Sequence, residues 1–324
     1  MKVYISRPIP NNAVEILREA GIDVEINPEN KVLKKSELIK AIQNKDALLC
    51  LLTDPIDDEV LASNPNLKIV SNYAVGYNNV DIPAATARKI LVTNTPGVLT
   101  ETTADLAFAL LMGAGRKLIA ADKFTRDGKF DKWEPLGFLG QDIHGATLGI
   151  IGAGKIGTAT ARKGHKGFAM RILYFDPNVN EYINNELDGM RVSMEELLKE
   201  SDFVSLHVPL TEKTRHMIGK KELQMMKKTA YLINTARGPV VDEEALVWAL
   251  KTGEISGAGL DVYENEPAVH PDLLKLDNVI LAPHIASASV HTRQEMARIA
   301  AENIVAFFRK EEIPSPVNPE VISC

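Results

Sequence analysis

The sequence predicts an α/β protein of two doubly wound parallel-sheet domains, and three observations predict it. The chain has 324 residues, enough for two cores of roughly 150 residues each. Short apolar runs alternate with helical patterns in two separate series, the order of a parallel sheet with crossover helices. In the second series the runs are almost continuously apolar, as strands buried on both faces must be. A composition of 45% hydrophobic and 25% charged residues supplies apolar material for both cores.

The first series runs from Lys2 to Asn94, with strands at "VYIS", "VEIN", "ALLCLL", "KIVSN" and "ILVTN". Asn11 or Asn12 caps the first helix and Gly21 stops it. Ser36 is the expected cap of "ELIKAIQN". Asp81 caps "DIPAATARK", with Pro83 in the first turn. Next comes "TADLAFALLMGAG", where Ala104 to Ala114 is apolar on nearly every side once past Asp105. A helix without a polar stripe has to be covered on several faces, by a domain junction or by a second subunit. The second series then reads "TLGIIG", "RILYFD", "DFVSLHV", "AYLINTA", "GAGLDVY" and "NVILAP".

Several classes of function fall away on composition. No stretch approaches the roughly 18 to 20 apolar residues that span a bilayer, and Met1 leads straight into a strand pattern, leaving no room for a signal peptide. Cys50 and Cys324 form neither a disulfide framework nor a zinc site, and no HExxH or CxxC spacing predicts a metal. The expected location is the cytoplasm. A net charge of −6 and the mixed signs of "DKFTRDGKFDK" speak against nucleic acid, which needs a concentrated basic patch.

The strand "ATLGIIG" runs directly into "GAGKIG", residues 152 to 157. A lone GxGxxG is weak, but this one lies between a strand and a helix, where a dinucleotide needs it. Gly152 permits the tight turn, Gly154 lets a pyrophosphate approach the backbone, and Gly157 lets the helix pack close to the sheet. Lys155 and Ile156 open that helix, whose first N–H groups and dipole favour phosphate. Asp176 ends the next strand, about 19 residues after Gly157, at the place that meets ribose hydroxyls and repels a 2′-phosphate. The expected cofactor is NAD.

In open α/β sheets, ligands bind beyond the carboxyl ends of the strands. There "AYLIN" delivers Thr235, Ala236 and Arg237, "GAGLDVY" carries Asp261 and leads to Glu266, and "NVILAP" delivers His284. This set suits hydride transfer to a 2-keto acid. Arg237 clamps a carboxylate and the adjacent carbonyl oxygen with its planar fork, and His284 gives a proton to that oxygen. Glu266 holds the imidazole and favours its charged form.

With these residues in view, the chain resembles the D-isomer-specific 2-hydroxyacid dehydrogenases over essentially its whole length, most closely the glyoxylate and hydroxypyruvate reductases. "SNYAVGYNNVD", "GATLGIIGAGKIG", "HVPLTEKTRHMIG", "INTARGPVVDEEAL", "GLDVYENEP" and "LAPHIASAS" carry the resemblance in order. It implies catalytic roles for Arg237, Glu266 and His284. It also implies a substrate carboxylate held by backbone N–H groups near Val75 and Gly76, Asp261 facing the nicotinamide amide, and Thr103, Val208, Thr235 and Ala236 lining the cofactor. It further implies a homodimer through the region of "TADLAFALLM". A flavodoxin-like substrate domain would comprise residues 1–98 and 288–324, with the helix from roughly His291 to Phe308 packed back on it. Residues 99–287 would form a Rossmann NAD-binding domain. Linkers near Asn94–Leu99 and Ala286–His291 would let a cleft close on substrate.

One departure is "ARKGHKGFAM", with Gly164 and His165 where relatives keep apolar helix formers; an early end to that helix is expected. His207 reads as structural. His144, His165, His216, His270 and His291 have no partner in the sequence reading. The alternatives are a short phosphoglycerate dehydrogenase or another D-2-hydroxyacid dehydrogenase, and an NAD-sensing protein like the corepressors that share the fold. A phosphorylated substrate calls for basic residues beside "YAVGY", and none adjoin it. Formate dehydrogenase relatives carry glutamine where Glu266 stands.

Overall fold

A computed structural model describes residues 1–322. The elements in chain order are β1 (Lys2–Ile5), α1 (Asn12–Glu19), β2 (Asp23–Ile26), α2 (Lys35–Ala41), β3 (Ala47–Cys50), α3 (Asp58–Ala62), β4 (Ile69–Asn72), α4 (Ile82–Ala87) and β5 (Leu91–Thr93). There follow α5 (Thr100–Gly115), α6 (Leu118–Arg126), β6 (Thr147–Ile151), α7 (Lys155–Phe168), β7 (Arg171–Phe175), α8 (Glu181–Glu186), β8 (Met190–Arg191) and α9 (Met194–Glu200). The chain ends with β9 (Phe203–Leu206), α10 (Lys220–Met225), β10 (Tyr231–Asn234), α11 (Glu243–Thr252), β11 (Gly257–Leu260), β12 (Val279–Leu281) and α12 (Val290–Arg309). Two compact units result, Met1–Leu99 with the chain from Ala288 onward, and Thr100–Ser287.

The first unit holds a parallel sheet in the order β2-β1-β3-β4-β5, the flavodoxin-like order. Its core packs Leu38, Ile42, Leu48, Val60, Val70 and Val92. The last helix belongs to this unit. Ser71 Oγ of β4 donates to Ala300 O at 2.9 Å and Tyr73 OH to Arg293 O at 2.7 Å, while Asn12 Nδ2 donates to Gln294 O at 2.8 Å.

Local chemistry explains most helix ends. Asp81 Oδ1 accepts from Ala84 N at 2.9 Å, with Pro83 in the first turn. Gly21, at φ +74°, ends α1 as expected. Asn11 stands at the N-cap of α1, but its side chain makes no cap bond and instead reaches Glu15 Oε1 at 2.6 Å. Ser36 lies inside α2 rather than at its cap. The helix begins two residues earlier, with Lys34 at the cap, because Glu37 Oε2 accepts the Lys34 N–H at 2.8 Å.

The second unit holds a parallel sheet in the order β12-β11-β10-β9-β6-β7-β8, a doubly wound dinucleotide-binding order extended by one strand. The six runs of the second series are all strands. The two-residue β8 is an addition that the sequence reading missed, because both its residues are exposed and carry no apolar signal.

Two expectations about this unit are corrected. The apolar helix α5 is covered within its own unit, by β10, β11, β12 and α7, so its missing polar face needs no second subunit. A Cβ on Gly113 would lie 2.9 Å from Ile280 Cδ1, and one on Gly115 2.9 Å from Phe203 Cε1, so these glycines let the helix lie close on the sheet. Helix α7 does not stop at Gly164 or His165 but runs on to Phe168. A Cβ on Gly164 would meet Leu148 Cδ2 at 2.9 Å, so the glycine serves contact with β6.

Among the described residues, no helix is long and apolar enough to cross a membrane. None of their histidines, cysteines and carboxylates group so as to hold a metal ion. Cys50 is buried and free, and Cys324 lies outside the described residues.

Candidate active site

The phosphate turn follows β6. Gly152 has φ +95°, and a Cβ there would lie 2.8 Å from the His207 carbonyl carbon and 2.9 Å from Val208 Cγ1. A Cβ on Gly157 would lie 2.0 Å from Gly152 O, so the α7 helix sits directly against the turn. On Gly154, the N-cap of α7, a Cβ would meet no protein atom within 4 Å. That open side is where a ligand can come close. No side chain caps the helix, so the first N–H groups, at Lys155 and Ile156, remain for a ligand.

Asp176, just past β7, is tied to this turn. Its Oδ2 accepts from Ala153 N at 2.9 Å and its Oδ1 from Asn178 N at 2.9 Å. Asn180 Nδ2 holds the other side of the same residue, Ala153 O, at 2.8 Å. Arg191, from the unpredicted β8, donates to Asp176 O at 2.9 Å and to Pro177 O at 2.7 Å.

His207 is half-buried, and its Nε2 pairs with Ser205 Oγ at 2.9 Å. Burial pushes this imidazole down from 6.5 to about 3, which keeps it neutral beside the turn. Thr103, Thr235 and Ala236 are buried, and Thr235 Oγ1 has no partner among the described residues. A buried hydroxyl without a partner costs free energy, so this atom, beyond the end of β10, calls for a ligand group. With the glycines and Asp176, it fits a dinucleotide.

The polar residues arrive on three adjacent strands, β10, β11 and β12. Asn234 sets the end of β10, accepting from Ala236 N at 3.0 Å and donating to Arg237 O at 3.0 Å. Arg237 donates through Nη1 to Ala236 O at 2.7 Å, and among the described residues no other side-chain bond occupies its fork. Burial pulls the guanidinium down and the nearby Glu266 opposes this; an arginine keeps its charge in either case.

His284 has φ +54°, a left-handed backbone that is rare outside glycine. Asp261 holds this turn. Its Oδ1 accepts from Ile285 N at 2.7 Å, its Oδ2 from Ala286 N at 2.8 Å, and its own carbonyl takes the His284 N–H at 2.9 Å. Burial raises the Asp261 carboxyl, and the two N–H bonds work against that rise. Asp261 is fully buried, and these bonds tie it to the placement of His284.

Glu266 joins the set through both oxygens. Oε1 accepts from Tyr263 N at 3.0 Å, and Oε2 lies 2.8 Å from His284 Nδ1. Burial works against the Glu266 charge, but its bond to His284, the Tyr263 N–H and Arg237 together hold the carboxyl below its ordinary value. With Nδ1 engaged, His284 has Nε2 free for a proton transfer.

In the first unit, Val75 and Gly76 follow β4. Asn94 Nδ2 fixes Val75 O at 2.8 Å and Asn72 Nδ2 fixes Gly76 O at 2.9 Å. Their N–H groups have no protein acceptor among the described residues. Three histidines without an expected partner have one: His216 Nε2 meets Glu264 Oε1 at 2.7 Å, His270 Nε2 meets Glu244 Oε1 at 2.9 Å, and His165 Nδ1 lies 3.3 Å from Met170 O.

A dinucleotide turn joined to an Arg–Glu–His set on one sheet edge defines a nicotinamide-dependent oxidoreductase. The profile of the D-isomer specific 2-hydroxyacid dehydrogenase, NAD binding domain, matches residues 108–286, and the chain belongs to that family. It is 53% identical to the glyoxylate reductase of Korarchaeum cryptofilum, across 99% of this chain and 97% of that one. Its structure matches a Thermus thermophilus protein with a TM-score of 0.93 at 43% identity, covering 98% of this chain and 100% of the other. It also matches an NADPH-dependent glyoxylate/hydroxypyruvate reductase of Sinorhizobium meliloti, with a TM-score of 0.86 at 34% identity and coverage of 98% and 97%.

Proposed function

We propose that the protein reduces a small 2-keto acid, glyoxylate or hydroxypyruvate, to the 2-hydroxy acid with NADH, and that His284 donates the proton. The observation that carries this reading is the 2.8 Å contact between His284 Nδ1 and Glu266 Oε2. It fixes the ring and directs Nε2 away from the carboxylate. Gly152, Gly154, Lys155, Ile156, Gly157 and Asp176 hold the adenosine and phosphate half, and Thr103, Val208, Thr235 and Ala236 line the rest. Asp261 contributes by holding the His284 turn. NADH, when bound, supplies the hydride.

The free donors of Arg237 pair with the substrate carboxylate and the neighbouring carbonyl oxygen, placing the carbonyl carbon and drawing charge toward its oxygen. In the first unit, Val75 and Gly76 are the residues assigned to substrate binding, through their N–H groups. His284 passes its Nε2 proton to the carbonyl oxygen and is left neutral, while Glu266 keeps the ring oriented. Oxidation reverses each transfer, with neutral His284 as the base.

The protein acts as a homodimer in this reading, through residues that follow α5. Leu118, Ile119, Phe130, Trp133, Leu136 and Leu139 are all exposed, Trp133 to 80% and Leu136 to 79%. An apolar run so exposed marks an interaction surface. The cytoplasm, with its NADH pool, is the proposed location.

A turnover panel of 2-keto acids with NADH tests the proposal. Glyoxylate and hydroxypyruvate should be reduced, and phosphorylated hydroxypyruvate poorly, since no basic residue adjoins Tyr73–Tyr77. Absence of turnover on the whole panel would overturn it.

A further inference from the structure

Glu243 is a buried carboxylate at the start of α11, only 6% exposed. An acidic residue in a first helical turn is ordinary when exposed, where it complements the helix dipole. This helix already has Asp242 as its cap, accepting from Ala245 N at 3.0 Å, and Glu244 beside it. Glu243 is buried near two like charges. Burial pushes its carboxyl up, and Glu264 and Glu266 add to the rise. A group kept in so unfavourable a setting needs a specific partner.

That partner is the turn that carries Glu266. Glu243 Oε1 accepts from Glu264 N at 2.7 Å, and Glu264 Oε2 returns a longer contact of 3.4 Å to Glu243 N. The same turn is pressed from the other side by Gly238, where a Cβ would lie 1.8 Å from Tyr263 O. Arg237 and Glu266 are thus both registered against the Tyr263–Glu264 peptide. From there the bonds run in series, with Glu264 N–H on Glu243, Tyr263 N–H on Glu266, and Glu266 on His284.

We propose that Glu243 is a positioning residue for the reaction: by holding the Glu264 N–H it sets where Glu266 meets His284. This rests on the reading of Glu266 and His284 given above. The charged groups around the series are Glu264, Glu266 and His270 near Glu243, His216 on Glu264, Glu244 on His270, and Arg237 and Asp261 near Glu266 and His284. What matters at position 243 is an acceptor in the right place, so glutamine should serve and alanine should not.

The experiment compares pH profiles of kcat for NADH-dependent glyoxylate reduction in the wild type, Glu243→Gln, Glu243→Ala and Glu266→Gln. Glu243→Ala should lose on the order of ten- to a hundredfold in kcat, the scale of a small misplacement. Its alkaline limb should move to lower pH, and KM for NADH should hold. Glu243→Gln should keep both the wild-type rate and the wild-type limb. If alanine unfolds the chain, Glu243→Met fills the volume without accepting a bond and should show the alanine behaviour.

A wild-type profile in Glu243→Ala or Glu243→Met, with a displaced limb in Glu266→Gln, overturns the positioning role and leaves the reading of the site intact. Glutamine and alanine variants impaired alike would also overturn it, since the acceptor would then not be the determining feature. An unmoved limb in Glu266→Gln would instead strike at the underlying reading.

Discussion

Glu266 Oε2 and His284 Nδ1 stand 2.8 Å apart although 18 residues separate them in sequence. They meet because β11 and β12 are adjacent and parallel, so that the loops leaving them rise from the same edge. The Glu266 carboxyl is held low by this contact despite its burial and is ionised at neutral pH. Glu266→Gln removes that charge from beside the ring that donates the proton. The alkaline limb of reduction should move down in pH with little loss at the acidic end, measured as kcat against pH. His284→Ala should lose roughly 10²–10⁴-fold in turnover, the range for general acid–base catalysis, with NADH binding retained by fluorescence titration. Wild-type turnover in that variant would remove His284 from the chemistry.

Cofactor choice should follow Asp176. Its carboxylate faces the phosphate turn through Ala153 N, and Arg191, which reaches this corner, donates to two carbonyls. A 2′-phosphate would meet the carboxylate, and a repulsion of a few kcal/mol is tenfold for each 1.4. NADH should exceed NADPH in kcat/KM by at least about tenfold, and Asp176→Ser should narrow the gap. Equal efficiency in the wild type would exclude Asp176 as the determinant.

Gly164→Ala should destabilise the protein, against helix propensity. Alanine gains roughly 0.5–1 kcal/mol over glycine in a helix, but its Cβ would press on Leu148 at 2.9 Å and on Met170 Sδ at 3.2 Å. Overpacking of a core costs roughly 1–3 kcal/mol, so the net sign is unfavourable. Urea midpoints compare the two, and a raised midpoint would show that the contact relaxes freely.

His207 should make the fold sensitive to acid. It titrates near 6.5 when unfolded and is pushed down to about 3 when folded. Between those values the unfolded chain binds the extra proton, so stability is full above about 6.5 and declines as pH falls toward 3. His207→Gln, which keeps a polar atom for Ser205, should flatten the acid side of stability against pH. An unchanged slope would mean other groups set it.

Light scattering should find a dimer. Trp133→Ser with Leu136→Ser should shift the protein toward monomer at low concentration, because both side chains are almost wholly exposed in the single chain. A double variant that stays dimeric would place the interface elsewhere.

The strands and the three edge residues were legible because a buried parallel strand is an apolar run with an abrupt polar end. "AYLIN" before Arg237 and "NVILAP" before His284 carry that signal openly. What stayed hidden depends on contacts distant in sequence. Nothing near Gly164 says that Leu148 lies against it, and nothing in "GLDV" says that Asp261 will hold the N–H groups of Ile285 and Ala286. Arg191 was invisible because its strand is two exposed residues, and Glu243 looked like any acid in a first helical turn. Ser36 was misplaced for a local reason, since Lys34 and Glu37 offer a competing start two residues away. The apolar α5 suggested a partner surface because periodicity cannot distinguish a neighbouring subunit from a neighbouring sheet.

Helix α12 belongs to the first unit and gives it Met296, Ala300 and Ile304 as buried residues, yet it is made only after the second unit. During synthesis β1 to β5 emerge first and must wait for the roughly 190 residues of Thr100–Ser287. At roughly 5–20 residues per second that wait is on the order of 10–40 s. Over that interval the second unit can complete itself on the ribosome while the older one lacks a wall. The strands that leave the tunnel earliest are therefore the last to be sealed, and the demand for chaperones falls on the amino-terminal hundred residues.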